Sequence, residues 1–116
     1  LVSVGAIDPE TSSFFKFTNL PCKELKDLIE SRNASGEITA HLFDSSGKLC
    51  APEYSNRVVG LTLEEVKSSP LTIGIAFSKS KVNATVAALK GNLINSLVID
   101  EPTAREVISI LEKDER

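Results

Sequence analysis

The chain has 116 residues, a formal net charge of −3 at pH 7, 41% hydrophobic residues and 25% charged residues. This length suits one domain with a modest core, and the acidic balance excludes the basic surface that is typical of nucleic-acid binding. No apolar run approaches the length of a membrane span, so we expect a cytoplasmic domain without membrane contact. The chain opens with the strand-like run LVSVGAID and contains no methionine, a pattern typical of a piece of a longer protein.

The first half of the chain predicts a mixture of short elements. We expect a strand at 2–6, a loop at 8–19, a helix at 20–32, a hairpin of strands 37–43 and 48–51 around a turn at 44–47, and a strand at 57–61. The helix is predicted because Leu25, Leu28 and Ile29 recur at helical spacing. The run that starts at Thr62, TLEE, has the spacing of a capping box and predicts a short helix that ends before Pro70.

The second half has a regular strand–helix–strand–helix pattern. Its apolar strands are predicted at 71–77 and 94–99, and its helices at 80–90 and 102–113. Gly91 is expected to end the first of these helices in the left-handed conformation. This order predicts a right-handed βαβ unit with a parallel sheet, so we expect the α/β fold class in a single domain over 1–116.

Polar residues follow the predicted strands at the carboxyl edge of the sheet, where ligands bind in open parallel sheets. They fall at 5–13, 78–81 and 100–101. Lys79 and Lys81 stand at the start of a helix, whose amino end is already positive, and this placement favours a bound anion such as phosphate. Judged by pattern alone, a helix capped by Ser78 with two solvated lysines is the more common arrangement.

The other polar candidates have structural alternatives. Asp100 precedes Glu-Pro-Thr and is a good amino-terminal helix cap. Glu37 follows a glycine at the start of a predicted strand, where a solvated turn residue is common. His41 lies in mid-strand without an acid or nucleophile near it in sequence, which favours a hydrogen-bonded packing residue over a base. With two distant cysteines and a single histidine, the sequence excludes an ordinary zinc site, and we expect no metal and no cofactor. A disulfide between Cys22 and Cys50 is the alternative to free thiols, which a cytosolic setting favours.

A longer stretch, RVVGLTLEEVKSSPLTIGIAFSKSKVNATVAALKGNLINSLVIDEPTA, carries a series of family motifs. These are an arginine-led short strand, an A-G-G-x-x-K-A segment, a helix with A-A-L and a strand L-V-T-D-E-x-T-A. The residues in those places are Arg57, Ala76, Lys81, Ala87, Ala88, Leu89, the run 97–101, Thr103 and Ala104. Upstream, ASGEITAHLFDSSG matches G-A-V-G-D-I-x-x-x-F-F-D-x-x-G, and GAIDPETSSFF matches a glycine-isoleucine-glycine segment. Over essentially its whole length, the chain resembles the later half of the effector-binding domain of SorC-type (DeoR-like) bacterial transcription regulators.

The resemblance implies a Rossmann-like, mostly parallel sheet flanked by helices and related to sugar-phosphate isomerases, working as a sensor and not as an enzyme. Such domains bind a phosphorylated sugar and control a helix-turn-helix DNA reader, which has no counterpart in this chain. By position, Lys81 is the family lysine that faces the ligand, and Glu37 is the acidic residue that holds sugar hydroxyls. Gly5, Ser78 and Asp100 complete the expected ligand-binding set, and we expect a homo-oligomer.

Two alternatives stay open. An enzyme of the same fold group, such as a sugar-phosphate isomerase or deaminase, would need a base near the sugar carbons, for which Glu37 or Asp100 is the candidate. A domain that has lost ligand binding would follow if Phe77 and Ser78, which replace the family's Gly-Gly, close the site and leave an oligomerisation surface. Turnover of sugar phosphates would indicate the first alternative, and no thermal shift with them would indicate the second.

Overall fold

The computed structural model describes residues 1–8, 10 and 12–115, and within them it contains two three-stranded sheets. The strands are β1 (Val2–Ser3), β2 (Gly5–Ala6), β3 (Ala34–Ile38), β4 (His41–Asp44), β5 (Ile73–Ala76) and β6 (Ser96–Ile99). The helices are α1 (Ser13–Thr18), α2 (Cys22–Lys26), α3 (Pro52–Ser55), α4 (Leu63–Ser68), α5 (Val82–Lys90) and α6 (Glu101–Asp114). A π-helical turn (Asp27–Ser31) extends α2, and a 3-10 turn (Lys79–Lys81) precedes α5. The predicted α/β fold class is confirmed.

The predicted βαβ unit is also confirmed. The parallel sheet has the order β1-β5-β6, with Val2 opposite Gly74 and Ile73 opposite Ser96. The helix α5 approaches its neighbours closely because its buried face is rich in alanine, including Ala84. The carboxyl ends of the three parallel strands therefore meet at one edge, which is where the candidate site lies.

The second sheet is antiparallel, in the order β2-β3-β4, and the core connects it to α5. One apolar cluster between the parallel sheet, the hairpin, α4 and α5 consists of Val4, Ile38, Phe43, Leu63, Val66, Ala76, Ala84, Ala87, Ala88, Leu93 and Ile94. A second cluster beneath α1 and the π-helical turn consists of Phe15, Leu28, Ala34, Leu42 and Ala51. A third, between α5 and α6, consists of Val82, Val86 and Val107. The hairpin is thus fixed against the helix that follows the candidate site.

The segment 8–19 is not the loop that the sequence predicts, because it contains α1. Phe15 is buried in this helix, whereas Phe17 is exposed, so the phenylalanines do not show the spacing of an amphipathic helix. The helix ends at Asn19, which adopts the left-handed conformation at φ 49°. Pro9 and Thr11 of the predicted loop lie outside the described residues. By contrast, the helix predicted at 20–32 is confirmed as α2 and the π-helical turn.

The predicted strand 37–43 is wrong because the chain reverses in its middle. Thr39 and Ala40 form a tight turn with φ 48° and 69°, so Ile38 lies opposite His41. Neither turn residue belongs to the asparagine and glycine types that normally indicate such a hairpin. The predicted turn at 44–47 does exist, but only the isolated pairing of Phe43 with Leu49 follows it.

The strand predicted at 57–61 is also absent from the described residues. Two turn hydrogen bonds hold the chain after α3, and Val59 is fully exposed, so no neighbouring strand satisfies this segment. The prediction that Gly91 ends α5 in the left-handed conformation is wrong. Gly91 has φ −82°, and the left-handed residue is Asn92 at φ 55°. A glycine is needed at 91 for another reason: an added Cβ would lie 2.6 Å from the Gly47 Cα. The capping box of Thr62 and Glu65 is present as predicted.

Candidate functional site

Two of the residues predicted for the site meet at the carboxyl edge of the parallel sheet. β5 ends two residues before Ser78, and β6 ends directly before Asp100. The Ser78 backbone N–H donates a hydrogen bond of 3.1 Å to Oδ1 of Asp100. This bond joins the loop before α5 to the start of α6, which are distant in sequence.

Ser78 has an unusual backbone, at φ 86° and ψ 152°. This region is populated almost entirely by glycine, since a Cβ is strained there. The Ser78 hydroxyl lies 2.7 Å from the Ser80 hydroxyl and does not cap the helix, so the predicted capping role is wrong. The Ser78 carbonyl instead accepts a 3.1 Å hydrogen bond from the Lys81 N–H. The conformation of Ser78 therefore sets the position of the lysine backbone.

Asp100 is the amino-terminal cap of α6, as the sequence predicts. Its Oδ2 accepts hydrogen bonds from the Thr103 hydroxyl at 2.9 Å and from the Thr103 N–H at 3.4 Å. These bonds, and the one from the Ser78 N–H, lower the pKa of the Asp100 carboxyl below its ordinary value. The carboxylate is consequently charged at neutral pH, with both of its oxygens engaged.

The two lysines of the 3-10 turn differ in their surroundings. Lys79 Nζ lies 3.3 Å from the Glu106 carboxylate on α6. Lys81 is half-buried and makes no ion pair within the part of the chain that the structure describes. Because the amino end of α5 is itself positive, Lys81 combines its charge with that of the helix. The arrangement leaves one cation of this turn available to an anion.

Gly5 lies on β2, which borders this turn, and Glu37 lies on the neighbouring strand β3. They are opposite each other in the β2–β3 ladder, and Cα atoms of β2 are within 8 Å of the turn 79–81. The Glu37 side chain crosses over Gly5, where an added Cβ would lie 2.8 Å from its Cδ. Glu37 Oε2 accepts a 2.9 Å hydrogen bond from the Ala40 N–H. The structure thus places a carboxylate and a cation on neighbouring segments of the edge.

His41 is a buried hydrogen-bonded residue, as the sequence predicts. Its Nε2 donates to the Leu61 carbonyl at 2.7 Å, because a carbonyl only accepts, and its Nδ1 accepts from the Ser55 hydroxyl at 2.8 Å. Through these two hydrogen bonds, the ring connects α3 to Leu61, the last residue of the segment 57–61. With both nitrogens engaged, His41 has no free position for proton transfer.

Two well-defined cavities lie away from this edge of the sheet, at positions that no sequence motif indicates. One, of about 350 Å³, is lined by His41, Lys48, Glu64, Lys67 and others, and an apolar one of about 290 Å³ lies beside α1 and Tyr54. The lysines of the first cavity share it with Glu64, and the His41 nitrogens are already bonded. We therefore take the sheet edge as the candidate anion site, because Lys81 has no acidic partner there within residues 1–8, 10 and 12–115.

The described residues offer little other chemistry. They contain no group of three or more histidine, cysteine or acidic side chains that would hold a metal ion. Cys22 and Cys50 are free, and burial raises the pKa of the Cys50 thiol to about 11, so it stays protonated at neutral pH. None of the described helices is both long and apolar enough to cross a membrane.

Comparisons with known proteins agree with this fold. A family model described as "Putative sugar-binding domain" matches residues 1–109. The transcriptional regulator LsrR of Escherichia coli (strain K12) is 28% identical over 109 residues, which are 93% of this chain and 34% of that protein. A transcriptional regulator from Streptococcus pneumoniae TIGR4 has a TM-score of 0.81 at 28% identity, covering 99% of this chain and 42% of that one. Full-length SorC, the sorbitol operon regulator from Klebsiella pneumoniae, has a TM-score of 0.75 at 26% identity, covering 90% and 33%.

Proposed function

We propose a function from one premise: the chain belongs to the sugar-binding domain family of SorC- and DeoR-type transcriptional regulators. Its role is to sense a sugar effector. In the finer form of the proposal, the effector is a phosphorylated sugar, and its binding controls a helix-turn-helix DNA reader elsewhere in the regulator. The chain spans 34% of the length of the LsrR relative, so these properties of the whole protein stay proposals.

The contrast between Lys79 and Lys81 is the observation that supports phosphate binding at Lys81. Lys79 is paired with Glu106, whereas Lys81, at the amino end of α5, has no acidic partner among the described residues. A dianion at this position would gain a charge-assisted hydrogen bond from the lysine and a favourable interaction with the helix dipole. We assign phosphate binding to Lys81 for this reason.

The other predicted residues complete the proposed site. Glu37 has acceptor capacity beyond its bond to the Ala40 N–H, so it would accept hydrogen bonds from sugar hydroxyls. Gly5 has no side chain, which gives the Glu37 carboxylate its place on the edge. The Ser78 N–H and the Asp100 carboxylate are bonded to each other beside this position. Lys81 and Glu37 would bind a ligand that is anionic at one end and rich in hydroxyls at the other.

An enzyme of the sugar-phosphate isomerase or deaminase type would need a free base, and the geometry disfavours Asp100 in that role. Asp100 accepts hydrogen bonds at both of its oxygens. The relatives are transcriptional regulators. We therefore propose a cytoplasmic sensor without catalytic activity, and we expect no turnover when it is assayed with aldose and ketose phosphates.

The domain is also proposed to have macromolecular partners. Val98 of β6 is half-exposed, although parallel sheets normally have both faces covered. Phe17, Val59 and Leu71 are exposed apolar side chains on other parts of the surface. We propose that this chain is part of a larger effector-binding domain, that it associates with copies of itself, and that DNA is contacted through another domain.

The effector class is tested by calorimetric titration with glucose 6-phosphate and ribose 5-phosphate, each beside its unphosphorylated parent sugar. The proposal predicts saturable binding of at least one phosphorylated compound and weaker binding of its parent. Equal affinity for phosphorylated and parent sugars would contradict the phosphate assignment. No binding and no thermal shift with either class would favour the domain that has lost its ligand.

A further inference from the structure

We infer that Asp100 is a positioning residue of this site, which acts through Ser78 to fix Lys81 and does not contact the ligand itself. The inference rests on the proposed function for its meaning, because it assigns a control residue to the proposed phosphate site. Its structural part concerns three residues that the chain brings together across 22 positions of sequence, and it stands independently of any ligand.

The first step is the strained backbone of Ser78. A residue with a Cβ does not keep φ 86° and ψ 152° unless its surroundings hold it there. The hydrogen bond from its N–H to Asp100 Oδ1 is the contact that opposes relaxation at this end of the residue. The bond is charge-assisted, which makes it stronger than one between neutral groups.

The second step leads from Ser78 to the lysine. The Ser78 carbonyl accepts the Lys81 N–H, and the two serine hydroxyls of the turn, on Ser78 and Ser80, bond to each other. A change of φ at Ser78 would reorient this carbonyl and release the Lys81 N–H. Lys81 would then lose its fixed position at the amino end of α5.

The third step separates this role from helix capping. Asp100 uses Oδ2 for Thr103 and Oδ1 for Ser78, so one carboxylate performs two tasks with two atoms. Asp100→Ser retains a good capping hydroxyl for α6 and removes the second acceptor. Ser78→Gly removes the strain, so a glycine at 78 keeps the productive conformation accessible without the carboxylate.

The experiment first measures amide hydrogen exchange by NMR in the ligand-free protein. Asp100→Ser is expected to increase the exchange rate of the Lys81 amide by about tenfold, because its acceptor becomes mobile. Adding Ser78→Gly should restore most of the protection. Unchanged exchange at Lys81 in Asp100→Ser, with α6 still protected, would overturn the inference whether or not a sugar phosphate binds.

The second measurement is the affinity for ribose 5-phosphate and glucose 6-phosphate. We expect Asp100→Ser to weaken the binding of the phosphorylated compound by about tenfold, since the binding-competent loop is less populated, and Ser78→Gly to recover most of this loss. A loss that the glycine does not recover would assign Asp100 to direct ligand contact and overturn the inference. If the wild type binds neither compound, the proposed effector class fails, and the exchange measurement alone decides the role of Asp100.

Discussion

The hairpin tip at Thr39 and Ala40 and the strand end at Ser78 are both strained, and each is held by a carboxylate. At the tip, two residues with φ 48° and 69° are held by Glu37, which accepts the Ala40 N–H. At the strand end, Ser78 is held by Asp100. The two acids differ in origin, because Glu37 lies three residues from its partner and Asp100 lies on a different element.

The Glu37 bond is therefore local to one hairpin, whereas the Asp100 bond connects two separate elements. The Glu37 bond closes a turn within one hairpin and leaves the carboxylate beside Gly5. The Asp100 bond fastens the loop that carries Lys81 to α6, and the ion pair between Lys79 and Glu106 fastens the same loop to the same helix. A ligand that moves this loop would therefore act on α6 through these two contacts, whereas the Glu37 bond at the hairpin tip joins residues of one hairpin.

The largest effect on stability is expected from a substitution in the contact between the hairpin and α5. Gly36 of β3 packs on α5, where an added Cβ would lie 2.7 Å from Phe43 Cζ and 2.8 Å from Ala84 Cβ. Gly36→Ala should lower the free energy of unfolding by about 1–3 kcal/mol, because the core cannot yield to the extra atom. Gly5→Ala is the comparison, with a smaller expected loss, since the three atoms nearest to its added Cβ belong to the flexible Glu37 side chain. Urea unfolding measures both, and equal losses would contradict the close packing at Gly36.

Smaller changes in the free energy of unfolding are expected from glycine substitutions in the two strained segments. Ser78→Gly should raise the free energy of unfolding by about 1–2 kcal/mol, because residue 78 occupies a region that is favourable only for glycine. Ala40→Gly should raise it by less than about 1 kcal/mol, since the left-handed helical region costs less for alanine and glycine adds entropy to the unfolded chain. A larger gain at Ala40 than at Ser78 in urea unfolding would reverse the ranking of strain.

The pH dependence of stability tests the hydrogen bonds of Asp100, which follows the end of β6. The pKa of Asp100 is lowered in the folded protein from its ordinary value of 3.8, chiefly by the Thr103 hydroxyl and then by the Ser78 N–H. Its contribution is fully present above that ordinary value and is lost as the pH falls through the lower folded value. Asp100→Asn should therefore be less stable than wild type at neutral pH, and the difference should shrink below about pH 4. Parallel unfolding curves for the two proteins down to pH 2 would contradict this assignment.

The sequence predicts the parallel half of this fold well and the antiparallel half poorly. Apolar strands and an alanine-rich helix leave little choice between residues 71 and 114, and the Asp100 cap follows from the residues beside it. The turn at Thr39 and Ala40 is hidden because the alternation of apolar and polar residues runs through it without a glycine or asparagine, as in a continuous strand. The bond between Ser78 and Asp100 is likewise invisible in the sequence, because it depends on β5 and β6 ending side by side.

The central claim is that Lys81, and not its neighbour Lys79, binds the phosphate of a sugar effector. Calorimetric titration of Lys81→Ala and Lys79→Ala with ribose 5-phosphate, glucose 6-phosphate and their parent sugars tests it most directly. We predict that Lys81→Ala removes about 1.5–3 kcal/mol, or ten- to a hundredfold in affinity, for the phosphorylated compound, with little change for the parent. Lys79→Ala should change little, because Lys79 is already paired with Glu106 at the surface. Equal losses for the two variants, or no loss at Lys81, would contradict the claim.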